Sequence, residues 1–108
     1  MGFRMISPRE AADLLAASPA DAVLLDCRQP EELALAKVPG SLDIPMREIP
    51  DRAAEFDRAR DILVLCHHGV RSTQVAIYLS RLGFPRVASV EGGIAAWSAD
   101  VDPSIPTY

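Results

Sequence analysis

Short unbroken apolar runs alternate along this chain with stretches whose apolar residues recur every three or four positions. The runs "AVLLD" (22–26) and "DILVLC" (61–66) are bounded by polar residues, the pattern of strands covered on both faces. "RVASV" (86–90) is a third strand, and "SLDIP" (41–45) a brief extended piece held between prolines. The helical stretches carry recognisable starts and stops. "SPRE" (7–10) reads as a capping box, with Ser7 as cap, Pro8 at the first helical position and Glu10 reaching back; Ala11, Leu14 and Leu15 follow at helical spacing. A short helix is expected over 29–37, with Pro30 near its start and acids in its first turn, and another over 50–56. The strongest helix is 71–83, where Val75, Leu79 and Leu82 share one face and Gly83 closes the end in the left-handed conformation, with Pro85 beyond. A glycine turn at 92–93 leads into a last helix, and residues 99–108 are expected as an extended tail over the surface.

Strands alternating with helices in this way predict an α/β fold of three layers, a small, mostly parallel sheet with helices on both faces. The 108 residues suffice for one such domain, 1–108. Ligands of these folds meet the loops at the carboxyl ends of strands, and Cys66 stands at such an end.

Composition narrows the function. The chain is 49% hydrophobic and 24% charged, as for a soluble globular protein. A net charge of −4 argues against non-specific nucleic-acid binding. No apolar run approaches the ~18 residues of a membrane span. The first ten residues lack the apolar core of a secretory signal, so the cytoplasm is the expected location. Two cysteines, Cys27 and Cys66, make no disulfide framework and are expected as thiols. Between residues 60 and 86 four arginines face a single acid, Asp61, so the one basic stretch of an acidic chain surrounds Cys66. A small anionic ligand fits that distribution, and so do solvated surface arginines.

The chemistry concentrates in "CHHGVRS", 66–72. A metal site fits poorly: Cys66, His67 and His68 are consecutive, their side chains diverge, and no other histidine exists in the chain. A cysteine–histidine dyad fits poorly for the same reason, since its histidine usually comes from elsewhere in the fold. A backbone cradle fits well. A loop passing from a buried strand into a helix N-terminus turns several amides inward and adds the helix dipole, which together bind an anion. Gly69 permits the tight turn, Val70 and Ser72 contribute amides, and Arg71 adds a fork of donors and a permanent charge. A cysteine at the foot of such a cradle feels the same field, which favours the nucleophilic thiolate. His67 and His68 are read as walls that set polarity and size. No cofactor or metal is expected.

These residues resemble the Cys-x-x-Gly-x-Arg active-site loop of the rhodanese-type sulfurtransferases. Two further segments are similar to that family. In "LLDCRQPEELALAKVPGSLDIP" (24–45), Asp26, Arg28, Glu32, Gly40, Ile44 and Pro45 match, and "VASVEGGIAAW" (87–97) matches the Gly-Gly-Ile-x-x-Trp ending. Cys27 replaces the usual valine, and Ala36–Lys37 the frequent Gly-His. The resemblance implies a single rhodanese-like domain without the inactive partner half of the two-domain enzymes. It implies transfer of sulfane sulfur from thiosulfate or a similar small anionic donor, through a Cys66 persulfide held among the amides, to cyanide, a thiol or a carrier protein. Nucleic acid and membrane are not among the implied partners. Cys66 through Arg71 is six residues, whereas phosphatases and arsenate reductases of related fold carry Cys-x5-Arg, one residue more; here Ser72 stands at that position. The shorter ring favours sulfur over tetrahedral phosphate. A sulfur-relay module with little turnover of free thiosulfate is the first alternative, and a phosphatase or arsenate reductase the second.

Asp26 and Arg28 are candidates for steadying the loop from behind, or for a structural ion pair at a strand end. Cys27 is expected as a buried, inert thiol, Trp97 as a core residue, and Gly92 and Gly93 as a turn allowing close approach to the loop.

Overall fold

A computed structural model describes residues 2–108. Its centre is a five-stranded, all-parallel sheet in the order β1-β5-β4-β2-β3. The strands are β1 (Phe3–Ile6), β2 (Ala22–Asp26), β3 (Leu42–Asp43), β4 (Asp61–Leu65) and β5 (Val87–Val90). The helices are α1 (Pro8–Ala17), α2 (Pro30–Leu35), α3 (Ile49–Arg52), α4 (Val70–Arg81) and α5 (Gly93–Asp100), with 3-10 turns flanking α3. Central β4 is buried along its whole length, because the helices cover both of its faces.

Period-two alternation sorts the strand residues into two cores. Leu25, Ile62 and Val64 face Val75 and Leu79 of α4 and Ile49 of α3. Leu24, Leu63 and Leu65 face the other way, toward Ala11 of α1 and Ile94 and Trp97 of α5. Each fully buried leucine or isoleucine contributes on the order of 2 kcal/mol, and the two layers fix β4 between them so that its carboxyl end has one position. Trp97 is a core residue, as expected.

The start of α1 is the expected capping box, with the Glu10 amide donating to Ser7 Oγ at 3.1 Å and the Ser7 amide to Glu10 Oε1 at 3.1 Å. The sequence pattern misses one element, and two expectations are corrected. Strand β1 has no counterpart in the apolar pattern, because it lies at the sheet edge with Arg4 and Met5 exposed and only Ile6 buried. Leu82 does not line the core face of α4; it sits past the last helical residue, where the chain turns at Gly83, and is exposed. Residues 99–108 are not one extended surface tail: α5 runs on to Asp100, a turn follows, and Ile105 returns into the core, where Ser98 Oγ donates to its carbonyl at 2.6 Å.

Candidate active site

Strand β4 ends at Leu65, and residues 66–69 carry the chain into the first turn of α4. Gly69 caps this helix at φ 106°, a conformation that a side chain disfavours. A Cβ there would stand 3.3 Å from the Gly92 nitrogen. The turn brings amides back onto the cysteine. Cys66 Sγ accepts from the Gly69 amide at 3.0 Å and from the Ser72 amide at 3.3 Å, and the Ser72 hydroxyl lies 3.4 Å away. Ser72 Oγ is in turn 2.8 Å from Ser89 Oγ on β5. Cys66 itself is 1% exposed.

Helix α5 ties the outer side of the loop. The Ile94 amide donates to the Cys66 carbonyl at 2.8 Å and the Ala95 amide to the His67 carbonyl at 3.2 Å. These are N-terminal helix amides, which have no partner within their own helix. The approach needs glycine: a Cβ on Gly93 (φ 61°) would stand 2.5 Å from the Cys66 carbonyl oxygen. With the carbonyls held outward by α5, the loop presents its amides inward.

The other loop residues form the rim. His67 and His68 stack, with ring centroids 3.9 Å apart. Partial burial, and then neighbouring His68, push the His67 pKa below the ordinary imidazole value, so its ring is neutral near pH 7. Val70 is exposed. The Arg71 fork grips the Glu32 carboxylate of α2 with both arms, at 2.6 and 2.8 Å. Arg71 holds the Glu32 pKa down to about 2, with burial opposing and a hydrogen bond from Tyr108 helping.

Behind this rim lies the end of β2. Asp26 and Arg28 are both 0% exposed, and three Arg28 donors reach the Asp26 carboxylate: the backbone amide at 3.1 Å, Nε at 3.0 Å and Nη2 at 2.7 Å. Arg28 Nη2 also donates to the Ala36 carbonyl at 2.8 Å, and Nη1 to Tyr108 Oη at 2.8 Å. The ion pair expected here is therefore present, with its remaining donors satisfied. Cys27, between them, is buried; its thiol is pushed up to about 12 by burial, then by Cys66 and Asp26, and stays protonated at neutral pH. Among the described residues no group of three or more His, Cys, Asp and Glu converges as a metal centre. The cleft lined by Val23, Leu25, Leu42, Phe56 and Ile62 does not include the Cys66 loop.

The family model of the rhodanese-like domain matches residues 7–100. The chain belongs to the rhodanese-like domain family. It is 44% identical over 92 residues to rhodanese-like/PpiC domain-containing protein 12, chloroplastic, of Arabidopsis thaliana, a match covering 82% of this chain and only 31% of that protein. It is 34% identical over 97 residues to the thiosulfate sulfurtransferase GlpE of Ectopseudomonas mendocina, covering 90% of this chain and 86% of the relative. The rhodanese-like domain protein from Staphylococcus aureus has a similar crystal structure, with 31% identity and a TM-score of 0.80 over 100% of this chain and 99% of the other. The parallel α/β architecture of this rhodanese-like domain is thus that of its relatives.

Two participants, Ser89 and Tyr108, are absent from the sequence reading, and Ser72 and Glu32 do more than it assigned them. Ser72 is read there only for its amide, yet its hydroxyl oxygen also accepts from the Cys66 thiol. Ser89 supports that hydroxyl from the next strand. Glu32, a match to the family pattern, was the one available hint of a partner for Arg71, 39 residues away. Tyr108 gave no signal, being the 76-residue-distant partner of Glu32 on what reads as a tail.

Proposed function

We propose that this rhodanese-like domain transfers sulfane sulfur through a persulfide on Cys66. The observation that carries the reading is the convergence of the Gly69 and Ser72 amides on Cys66 Sγ. Donors so placed stabilise negative charge on sulfur before and after reaction, and they need no reorganisation to do it. The Cys66 thiolate attacks the outer sulfur of thiosulfate; the S–S bond of the donor breaks, its electron pair leaves with sulfite, and Cys66–S–S⁻ remains. A nucleophile then attacks the outer sulfur: cyanide departs as thiocyanate, and the Cys66 thiolate is regenerated. Thiosulfate is chosen because relatives of similar length carry that activity in their names.

In this mechanism the loop amides are the principal dock for the donor, because the Arg71 fork is already engaged by Glu32. Arg71 positions α2 against the loop and contributes a permanent charge at the rim. His67 and His68 line the path to the sulfur, and Gly69, Val70 and Ser72 supply main-chain donors. The ring of six residues from Cys66 to Arg71 suits one additional sulfur atom.

The test is intact-protein mass spectrometry after exposure to thiosulfate. A ~32 Da adduct that maps to Cys66 and disappears with cyanide is expected. Its absence from a folded protein would sink the reading, and Cys66-dependent hydrolysis of an aryl phosphate would replace it with phosphoryl chemistry.

A further inference from the structure

Tyr108 reaches one end of the Cys66 loop directly, at His67, and the other, at Arg71, through Glu32. Its ring lies on His67 with centroids 3.9 Å apart and planes 9° from parallel, and His67 lies in turn on His68, making a stack of three rings at the start of the loop. Its hydroxyl donates to Glu32 Oε2 at 2.8 Å, and Glu32 grips Arg71 at the end of the loop. The same hydroxyl accepts from buried Arg28 at 2.8 Å, which anchors it to the end of β2. Burial raises the Tyr108 pKa, with Arg28 pulling the other way, so the hydroxyl keeps the proton it gives to Glu32. A residue that served only to pin its own segment would need neither contact, since Ile105 already enters the core three positions earlier.

We propose that Tyr108 is a positioning residue that holds His67 and His68 as a fixed wall beside Cys66 and so selects sulfur donors and acceptors by size. Each stacked ring favours the orientation of its neighbour, and a wall locked by its supports discriminates where a mobile one yields. The class admitted is small and unbranched at the reacting end, such as an anion presenting a terminal sulfur, or cyanide. Bulkier thiols are disfavoured until the stack opens.

The proposal deepens the persulfide reading and rests on it for the identity of the substrates, but access to Cys66 is measurable without any sulfur transfer. Cys66 is alkylated with iodoacetamide and with a bulky fluorophore-linked iodoacetamide that has the same reactive group. Tyr108→Ala should raise the bulky-to-small rate ratio roughly tenfold, and His67→Ala, which removes the platform under the ring, should do the same. Tyr108→Phe keeps the ring and loses the hydroxyl, so it should give a smaller rise. NMR titration of His67 is compared between Tyr108→Ala and Tyr108→Phe, because the Tyr108 main chain also acts on His67 and only the ring distinguishes the two variants. The groups near His67 are His68, Glu32, Arg28 and Tyr108 itself, and Tyr108→Ala should bring its titration back toward the ordinary imidazole value. A ratio within about twofold of the wild type in both Tyr108→Ala and His67→Ala overturns the proposal. If the wild type forms no persulfide but the ratio changes as stated, the transfer reading fails and the role of Tyr108 stands.

Discussion

The ends of β2 and β4 are neighbours in the sheet, each carries a buried cysteine, and they are built from opposite materials. At the end of β2, Cys27 sits among side chains: the Asp26 carboxylate, the Arg28 guanidinium and the Tyr108 hydroxyl satisfy one another. At the end of β4, Cys66 sits among peptide groups, with Gly69 and Ser72 donating to its sulfur. Both cysteines are 1% exposed, so burial does not distinguish them. Donors do. The charges beside Cys27 are spent on each other, and the thiol is left with apolar neighbours and a carboxylate that oppose its ionisation. The amides around Cys66 answer to the sulfur. The comparison teaches that two equally buried thiols differ in what points at them, main-chain donors at Cys66 and mutually satisfied side chains at Cys27, and the proposed reaction rests on that difference.

The largest expected effect breaks the β4 end. Cys66→Ser should lower sulfur transfer by at least about a thousandfold in a steady-state thiocyanate assay, while thermal stability stays close to the wild type. Breaking the β2 end should do the reverse. Arg28→Ala leaves Asp26 buried without its partner and should cost about 3–5 kcal/mol in urea unfolding. A loss below about 1 kcal/mol would mean that water reaches Asp26 and that the pair is not a structural anchor.

The Glu32–Arg71 pair joins the two ends, and its pH dependence sharpens the comparison. The folded Glu32 carboxyl titrates at about 2, below its ordinary value of 4.5. Between those values the unfolded chain binds the extra proton, so stability contributed by the pair is fully present above about pH 5 and is lost as pH falls toward 2. Allowing for its partly exposed position, the contribution is about 2 kcal/mol. Glu32→Gln should flatten that acid limb in denaturation curves measured from pH 6 to 2; an unchanged limb would place the acid sensitivity elsewhere. The smallest effect is at Cys27. Cys27→Val should change stability by less than about 1.5 kcal/mol and transfer by less than about twofold, and iodoacetamide should label Cys66 alone in the native protein.

Most of the fold was legible because buried parallel strands leave unbroken apolar runs, as at 22–26 and 61–66, and because α1 and α4 carry caps in their own sequence. Edge strand β1 was not, since a strand with water on one side and a single buried residue leaves no such run. The loop at 66–72 was legible as chemistry because its residues are contiguous, and the backbone ring follows from local geometry. The rim was not. Glu32 meets Arg71 across 39 positions and Tyr108 meets Glu32 across 76, contacts created only when the fold brings α2 and the last residues to the carboxyl ends of β2 and β4. Nothing in the spacing of those residues encodes that meeting.

The two hydrogen bonds from α5 to the Cys66 and His67 carbonyls have a further consequence. They hold the loop by its main chain, and the loop holds the sulfur chiefly by its main chain. The side chains of His67, His68 and Val70 are thereby released from the task of keeping the centre intact. Exchanging them leaves the donors on the Cys66 sulfur in place, so on the proposed reading this rim can be redesigned for new partners while the sulfur site is kept.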